Sequence, residues 1–378
     1  MSNNNKSRPQ DSATHVLPSN AFSSIILSGV AKHNSEEIDV QLNRGTPRAN
    51  KPFIVKERGR PPKPPTPPPS QLPPPGNLTL HLKVGPKIGR GRVGRVYEAS
   101  VVTDNSSAEL AGMVLPELVL KISRRQDSKK LAREAYYYQE MECLQGVAIA
   151  RCYGVYETIV PADWDFLPWK SDPLDASKRQ YKSDSDISDS ECEDSESDDY
   201  RPDQYSDYES DEDEDEEHDK KEKKEQTLDT ETKDAERVED EMDNDDYFDS
   251  DDEETPVPVD TPLAILILER LGERVPLGQP LPKGFKQHIY GLYHDIAELG
   301  VDHVDIRWQN ILSVPRSPST LPSLPSPFTG RKYKWRLVDF DRSYKTNRTA
   351  AHSYCYHVEY LSALLNGIPY GDAMEPWE

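Results

Sequence analysis

The chain has 378 residues, of which 34% are hydrophobic and 33 are proline, so much of it lacks the apolar content of a packed core. Its net charge of −22 is unevenly placed: 38 acidic and 8 basic residues fall between 181 and 260, so that stretch is strongly negative and the remainder is net positive. Four cysteines without a CxxC pair exclude a zinc site or disulfide framework as the organising principle, and no signal-peptide core or run of about 18 apolar residues occurs, which predicts a soluble cytoplasmic or nuclear protein with no membrane span.

Residues 1–76 read as a disordered arm without sustained periodicity. The arm ends in a linker from Pro61 to Pro75 with ten prolines in fifteen positions, a composition that favours extended polyproline II. Docking of residues 61–75 to an SH3 or WW domain is one reading of this run. Within the arm, Arg58-Gly59-Arg60-Pro61 resembles the core of an AT-hook, whose arginines enter a narrow A·T minor groove. DNA contact through 58–61 and a solvated basic linker are the two readings of that match.

Residues 77–160 change to short β-type runs. Leu80-His81-Leu82-Lys83-Val84 and Arg95-Val96-Tyr97-Glu98-Ala99-Ser100-Val101-Val102 flank a glycine-rich turn, which predicts a hairpin. Leu118-Val119-Leu120-Lys121-Ile122 is a third strand. A helix follows, with Leu131, Glu134, Ala135, Tyr138 and Met141 at three- and four-residue steps. Cys152-Tyr153-Gly154-Val155-Tyr156 is a candidate fourth strand.

Residues 161–257 form an acidic insertion dominated between Ser183 and Glu254 by Asp, Glu and Ser, which cannot bury enough apolar area to offset chain entropy. Ser183, Ser185, Ser188, Ser190, Ser195 and Ser197 lie beside acidic residues, a pattern that acidophilic kinases favour. The insertion reads as a lure for basic partners, an autoinhibitory strand, or a charge-extended spacer. Order resumes over 258–378 with the apolar strand Leu263–Leu268, a helix marked by Phe285, Ile289, Leu292, Tyr293, Ile296 and Leu299, a Ser/Pro insertion at 313–330, and a short helix carrying Val358, Leu361, Leu364 and Leu365.

Three motifs carry chemistry. Gly89, Gly91, Gly94 and Val96 form a G-x-G-x-x-G-x-V loop, in which absent side chains let backbone amides approach phosphates. A dinucleotide loop would run into a helix, but β-type residues follow here, so strand-loop-strand is predicted, with a plain glycine turn as the alternative. Lys121 stands among apolar strand residues, where an ammonium requires a charged partner. ATP phosphates and Glu134, on the apolar face of the next helix, are the natural partners; an edge lysine beside a surface glutamate is the plainer reading. In His303-Val304-Asp305-Ile306-Arg307-Trp308-Gln309-Asn310, Asp305 would accept the proton of an acceptor hydroxyl and Asn310 would hold a metal. Arg307 could balance charge on the transferring phosphoryl group, and His303 would brace the loop. Asp339, on the β-type segment Arg336-Leu337-Val338, would hold the metals bridging the ATP phosphates, so ATP and Mg²⁺ are the cofactors expected.

Taken in order, the glycine loop, Lys121, Glu134, the apolar strand, HxDxxxxN and Asp339-Phe340 resemble the protein-kinase-like superfamily. Leu266-Ile267-Leu268-Glu269 and Val338-Asp339-Phe340-Asp341 look like the compact kinase-like domains common in fungi. The resemblance covers about 77–160 and 256–366. It implies an α+β, two-lobed protein-kinase-like fold with a β-rich N-lobe and a shortened, mainly helical C-lobe, plus long disordered segments, with ATP in the cleft and Glu269 at the hinge. The chain departs from the pattern at Val304 and Arg307, at Asp341 in place of a glycine, and in having no Ala-Pro-Glu segment. The leading expectation is an ATP- and Mg²⁺-dependent phosphotransferase acting on a protein Ser/Thr hydroxyl. An ATP-binding pseudokinase scaffold and a kinase of a small-molecule hydroxyl are the alternatives.

Overall fold

The computed structural model describes residues 15–56, 63–102, 113–170 and 260–372. The Arg58-Gly59-Arg60-Pro61 motif and the acidic insertion beyond residue 170 lie outside them. In chain order the elements begin with β1 (His15–Val16), β2 (Phe22–His33), β3 (Glu36–Arg44), β4 (Leu78–Arg90), β5 (Gly94–Val101), β6 (Met113–Val114) and β7 (Leu118–Ser123). Helix α1 (Ser128–Glu140), β8 (Cys152–Pro161), β9 (Asp165–Phe166) and β10 (Asp260–Glu269) come next. The last part holds helix α2 (Phe285–Glu298), β11 (Val301–Asp302), β12 (Ile311–Ser313), β13 (Trp335–Leu337), β14 (Tyr344–Lys345) and helix α3 (Ala350–Gly367). The chain is mixed α+β, with a β-rich first part and few helices.

The main sheet runs β3-β8-β10-β7-β5-β4-β2-β9, and β3 also pairs with β2. That extra pairing turns seven strands into a closed ring, with β9 appended to the far end of β2. Strands β2 and β3 overturn the expectation that residues 1–76 are a disordered arm. The signal was present in the sequence: Ile38, Val40 and Leu42 alternate with Asp39, Gln41 and Asn43 along β3. The two-residue turn before it, Asn34-Ser35, has both φ angles positive (51° and 68°), the conformation that matches the twist of a hairpin.

Closure leaves neither β4 nor β8 with an open edge on this side. Ile25, Leu27, Leu42, Leu82, Leu120, Tyr156 and Ile265 fill the interior. Arg44 locks the seam by donating from Nη1 to Phe22 O (2.8 Å) and Tyr153 O (3.2 Å). Gly154 (φ +116°) makes room for it, since a Cβ there would stand 2.8 Å from the Arg44 guanidinium.

A second core lies outside the ring, where α1 packs on β10 and β8 and α2 packs on α3. Leu131, Ala135 and Tyr138 give α1 its buried stripe. The boundary of the acidic insertion moves from residue 161 to beyond 170, because β8 runs through Pro161, Phe166 pairs with Ala31 and Trp169 Nε1 donates to Ser123 O at 2.9 Å. The Ser/Pro insertion lacks long regular elements but is tied down: Arg151 Nη2 donates to Pro322 O (2.6 Å), Leu324 N to Gly146 O (2.9 Å) and the buried Arg336 to Ser323 Oγ (2.7 Å). No helix among the described residues is long and apolar enough to cross a membrane.

If the ring is one cooperative unit, truncating its N-terminal hairpin must destabilise the whole. Leu27→Ala is predicted to lower unfolding free energy by about 2–5 kcal/mol in denaturant titrations. A loss below about 1 kcal/mol would show that β2 is an accessory to the sheet.

Candidate functional site

Beneath the β4–β5 hairpin lies a cleft of about 1580 Å³. Gly89, Gly91, Val96, Lys121, Glu134, Glu269, Asp305, Arg307, Asn310 and Asp339 all line it. Gly94 does not. Its missing side chain serves strand packing instead, since a Cβ there would stand 2.5 Å from Ile122 O on β7. The hairpin continues as strand on both sides, with Gly89 opposite Val96 and Arg90 opposite Arg95, and Gly91 N donates to Gly94 O at 2.8 Å. The loop tip is folded inward: Val93 is fully buried, and a Cβ on Gly91 would lie 3.6 Å from Asp339 Oδ2.

Lys121 is buried on β7, and its Nζ lies 2.6 Å from Glu134 Oε2 and 2.7 Å from Asp339 Oδ1. Burial pushes the ammonium toward deprotonation, but Asp339 and Glu134 more than offset this and hold it charged. Two carboxylates share that one cation. Burial pushes the Glu134 carboxyl up to about 8 against the pull of Lys121. Burial also opposes ionisation of Asp339, but Lys121 prevails and keeps it below the ordinary carboxylate range. Asp341 is raised by burial and by the charge of Asp339, and it pairs with Arg92 of the hairpin at 3.2 Å. The floor of the cleft therefore holds a surplus of carboxylates.

The opposite wall comes from the turn after β11. Asn310 Nδ2 donates to Asp305 O and to Asp305 Oδ2, each at 3.0 Å, and Arg307 Nε lies 2.9 Å from Asp305 Oδ1. His303 is buried between two partners: Nε2 donates to Asp339 O (2.9 Å), and Nδ1 accepts from the Tyr293 hydroxyl (3.3 Å). Its backbone N–H donates to His357 Nε2 on α3 at 3.2 Å. Burial lowers both imidazoles, His357 to about 3, which keeps His357 an acceptor.

Asp339 adopts φ +65°; outside the Asn34-Ser35 turn it is the one non-glycine residue with positive φ among those described. Such a conformation persists where surrounding contacts enforce it, and it is concentrated at functional sites. Val338 N donates to Asn310 O (3.1 Å), and His303 holds the Asp339 carbonyl. Phe340 is buried edge-on to Tyr138 of α1 (ring centroids 5.2 Å) and against His303 (4.9 Å). An aromatic column thus couples α1 to the Asp305 loop. Sequence reasoning missed the part played by Tyr138, although it stands one helical turn beyond Glu134 on the same face.

Glu269 lines the cleft, but its carboxylate is engaged elsewhere. Arg151 donates to it from Nη1 (2.6 Å) and from its backbone N–H (2.9 Å), and the Glu269 backbone N–H donates to Arg151 O (2.9 Å), so neither its carboxylate nor its amide is free for a ligand. No local pattern in the sequence marks Arg151 as the partner of Glu269. Among the described residues there is no group of three or more His, Cys, Asp or Glu side chains arranged to hold a metal ion.

No family model matches the chain, and no curated protein matches it. The structure is similar to that of WaaP in complex with acyl carrier protein, at 11% sequence identity, over 75% of this chain and 72% of that chain, with a TM-score of 0.28. A likeness at that level carries no weight for function.

The shared cation has a measurable consequence. Between the ordinary glutamate value of about 4.3 and about 8, folded Glu134 keeps a proton that the unfolded chain has lost, so this group's contribution to stability falls as pH rises through that window. Glu134→Gln removes the titration. The wild-type advantage over Glu134→Gln in denaturant titrations is predicted to shrink steadily from about pH 5 to pH 8; a pH-independent difference would mean that Glu134 is ionised throughout.

Proposed function

We propose that this chain is an ATP- and Mg²⁺-dependent phosphotransferase of the protein-kinase-like type, acting on a protein Ser/Thr hydroxyl. The observation that carries this reading is the position of Lys121 Nζ, held between Glu134 and Asp339 beneath a glycine hairpin. In this reading the strand ring and α1 form one lobe, the α2–α3 part forms the other, and the nucleotide lies between them. Lys121 binds phosphate oxygens, and the Gly89 and Gly91 hairpin covers them.

The donor set fits Mg²⁺. This ion takes hard oxygen ligands, commonly one or two carboxylates together with substrate phosphates rather than an all-protein cage. Asp339 offers a carboxylate and Asn310 an amide oxygen, and the carboxylate surplus around Asp341 and Asp339 is a place where a divalent cation relieves repulsion. When bound, the ion neutralises charge on the phosphates.

Asp305 accepts the proton as the acceptor oxygen bonds to the γ-phosphorus and the bond to the β–γ bridging oxygen breaks, releasing ADP. Arg307, paired with Asp305, orients that carboxylate and balances the charge on the transferring group. One observation favours the second reading, a nucleotide-binding scaffold without turnover: Asp341, where the family pattern has glycine, is latched to Arg92 of the hairpin. An intracellular location and a basic protein partner drawn by the acidic stretch go with either reading. An SH3 or WW domain taking residues 61–75 would compete with the contacts that Pro65 O and Pro73 O already make to Lys345 and Asn20.

Mg·ATP should raise the melting temperature of the wild type and of Asp305→Asn, but not of Asp339→Asn. Phosphate transfer to a protein acceptor should fall about 10²–10⁴-fold in Asp305→Asn. Binding without transfer by the wild type would establish the scaffold reading, and a wild type that neither binds nor transfers would exclude both.

A further inference from the structure

The connector from β3 to β4 is far longer than its task requires. Ser24 of β2 pairs with Asn43 of β3, and Phe22 of β2 pairs with Leu78 of β4. The two ends of the connector therefore flank the same point of β2, two strand spacings or about 10 Å apart. More than thirty residues join them, with a reach on the order of 100 Å.

That length makes an excursion across the molecule. Arg48 N donates to Ala132 O in the middle of α1 (3.0 Å). Phe53 then bridges to Thr346, its N–H donating to Lys345 O (2.8 Å), and its ring lies 5.5 Å from Tyr344 with the Arg348 guanidinium 5.4 Å above it. Val55 N donates to Asn347 Oδ1 (2.7 Å), and Asn347 Nδ2 returns to Val55 O (3.1 Å). Farther on, Pro65 fills the space left by Gly300, where a Cβ would meet its ring at 2.5 Å. Ser70 Oγ (2.6 Å) and Gln71 N (2.9 Å) donate to the Glu142 carboxylate just past α1. Asn20 Nδ2 donates to Pro73 O (2.6 Å), which returns the strap to the ring.

Lys345 is the common anchor. It is buried, and its Nζ donates to Leu299 O at the end of α2 (2.7 Å) and to Pro65 O (3.1 Å) while pairing with Glu140 at the end of α1 (3.1 Å). The strap therefore touches α1 at Ala132 and the turn just past its C-terminal end at Glu142. It also grips residues 344–347, a few positions after Asp339.

We infer that residues 45–56 and 63–73 act as a built-in positioning strap, anchored on Lys345, that ties α1, and through it Glu134, to the segment following Asp339. The strap contributes no group to the cleft. It acts by holding Glu134 at Lys121 from the side of α1 that the sheet does not cover. The catalytic half of the inference rests on the phosphotransferase reading; the mechanical half does not.

The test uses the full chain with hydrogen exchange read by mass spectrometry, alongside transfer kinetics. Phe53→Ala combined with Val55→Pro removes the ring contact and one strap hydrogen bond without touching the cleft. Amides of α1 are expected to exchange at least tenfold faster while those of β7 and β10 keep their protection. In the transfer assay kcat should fall at least fivefold, more than KM for ATP rises. Lys345→Ala should behave alike, and Lys345→Arg should restore both readouts. Wild-type exchange of α1 in these variants overturns the inference. If the double variant loses protection in β7 and β10 as well, Lys345→Ala against Lys345→Arg decides, and equal α1 exchange in that pair again overturns it. Absence of transfer in the wild type would remove the phosphotransferase reading, and α1 exchange would still decide the strap.

Discussion

One buried ammonium organises this molecule. Lys121 is among the least accessible charged groups in the structure, and an unpaired charge so placed would be prohibitively costly. It is tolerated because a strand, a helix and a distant turn each deliver something to it: β7 supplies the lysine, α1 supplies Glu134, and the turn after β13 supplies Asp339. Moving β7 or the Asp339 turn would leave a charge uncompensated, and moving α1 would strip Lys121 of one of its two partners. The geometry of the cleft is thus coupled to the register of α1 on the sheet and to the left-handed backbone of Asp339.

Two devices keep those elements in place. The first is closure of the sheet by β2 and β3, which covers the edges of β4 and β8 and leaves β7, between β10 and β5, in a ring whose interior is filled by aliphatic and tyrosine side chains. The second is the aromatic column in which Phe340 stands between Tyr138 and His303, with the backbone of His303 held by His357. Apolar packing fixes distances through many small contacts, and the hydrogen bonds within the column fix direction. Together they allow an aspartate with left-handed backbone and a glutamate whose carboxyl pKa is raised by burial to persist in one site. The connector between β3 and β4 adds a third support that approaches α1 from outside.

Charge is arranged with the same economy. The acidic residues that set the net charge of the chain lie mostly between 181 and 260, away in sequence from the glycine hairpin and its arginines. Within the cleft Arg92 answers Asp341 and Arg307 answers Asp305, while Arg151, outside the lining, answers Glu269. Each guanidinium has a fork geometry suited to a carboxylate.

The sequence by itself determined the local parts, because their physics is local. The period-2 and period-3.6 runs located β4, β5, β7, β8, β10, α1, α2 and α3. The five-residue spacing of Asp305 and Asn310 already brings their side chains together within one turn. Even β3 is legible in the alternation of Ile38, Val40 and Leu42, although the segment as a whole lacks sustained periodicity. Only the tertiary structure decided what distant faces meet. Lys121 finds Asp339 across 218 residues, and Arg92 finds Asp341 across 249. Periodicity states which face of an element is buried but not which partner buries it, and nothing in a proline-rich connector announces that Lys345 holds it. For the same reason the closing pair β2–β3, the role of Arg151 and the strap around α1 became visible only in the assembled fold.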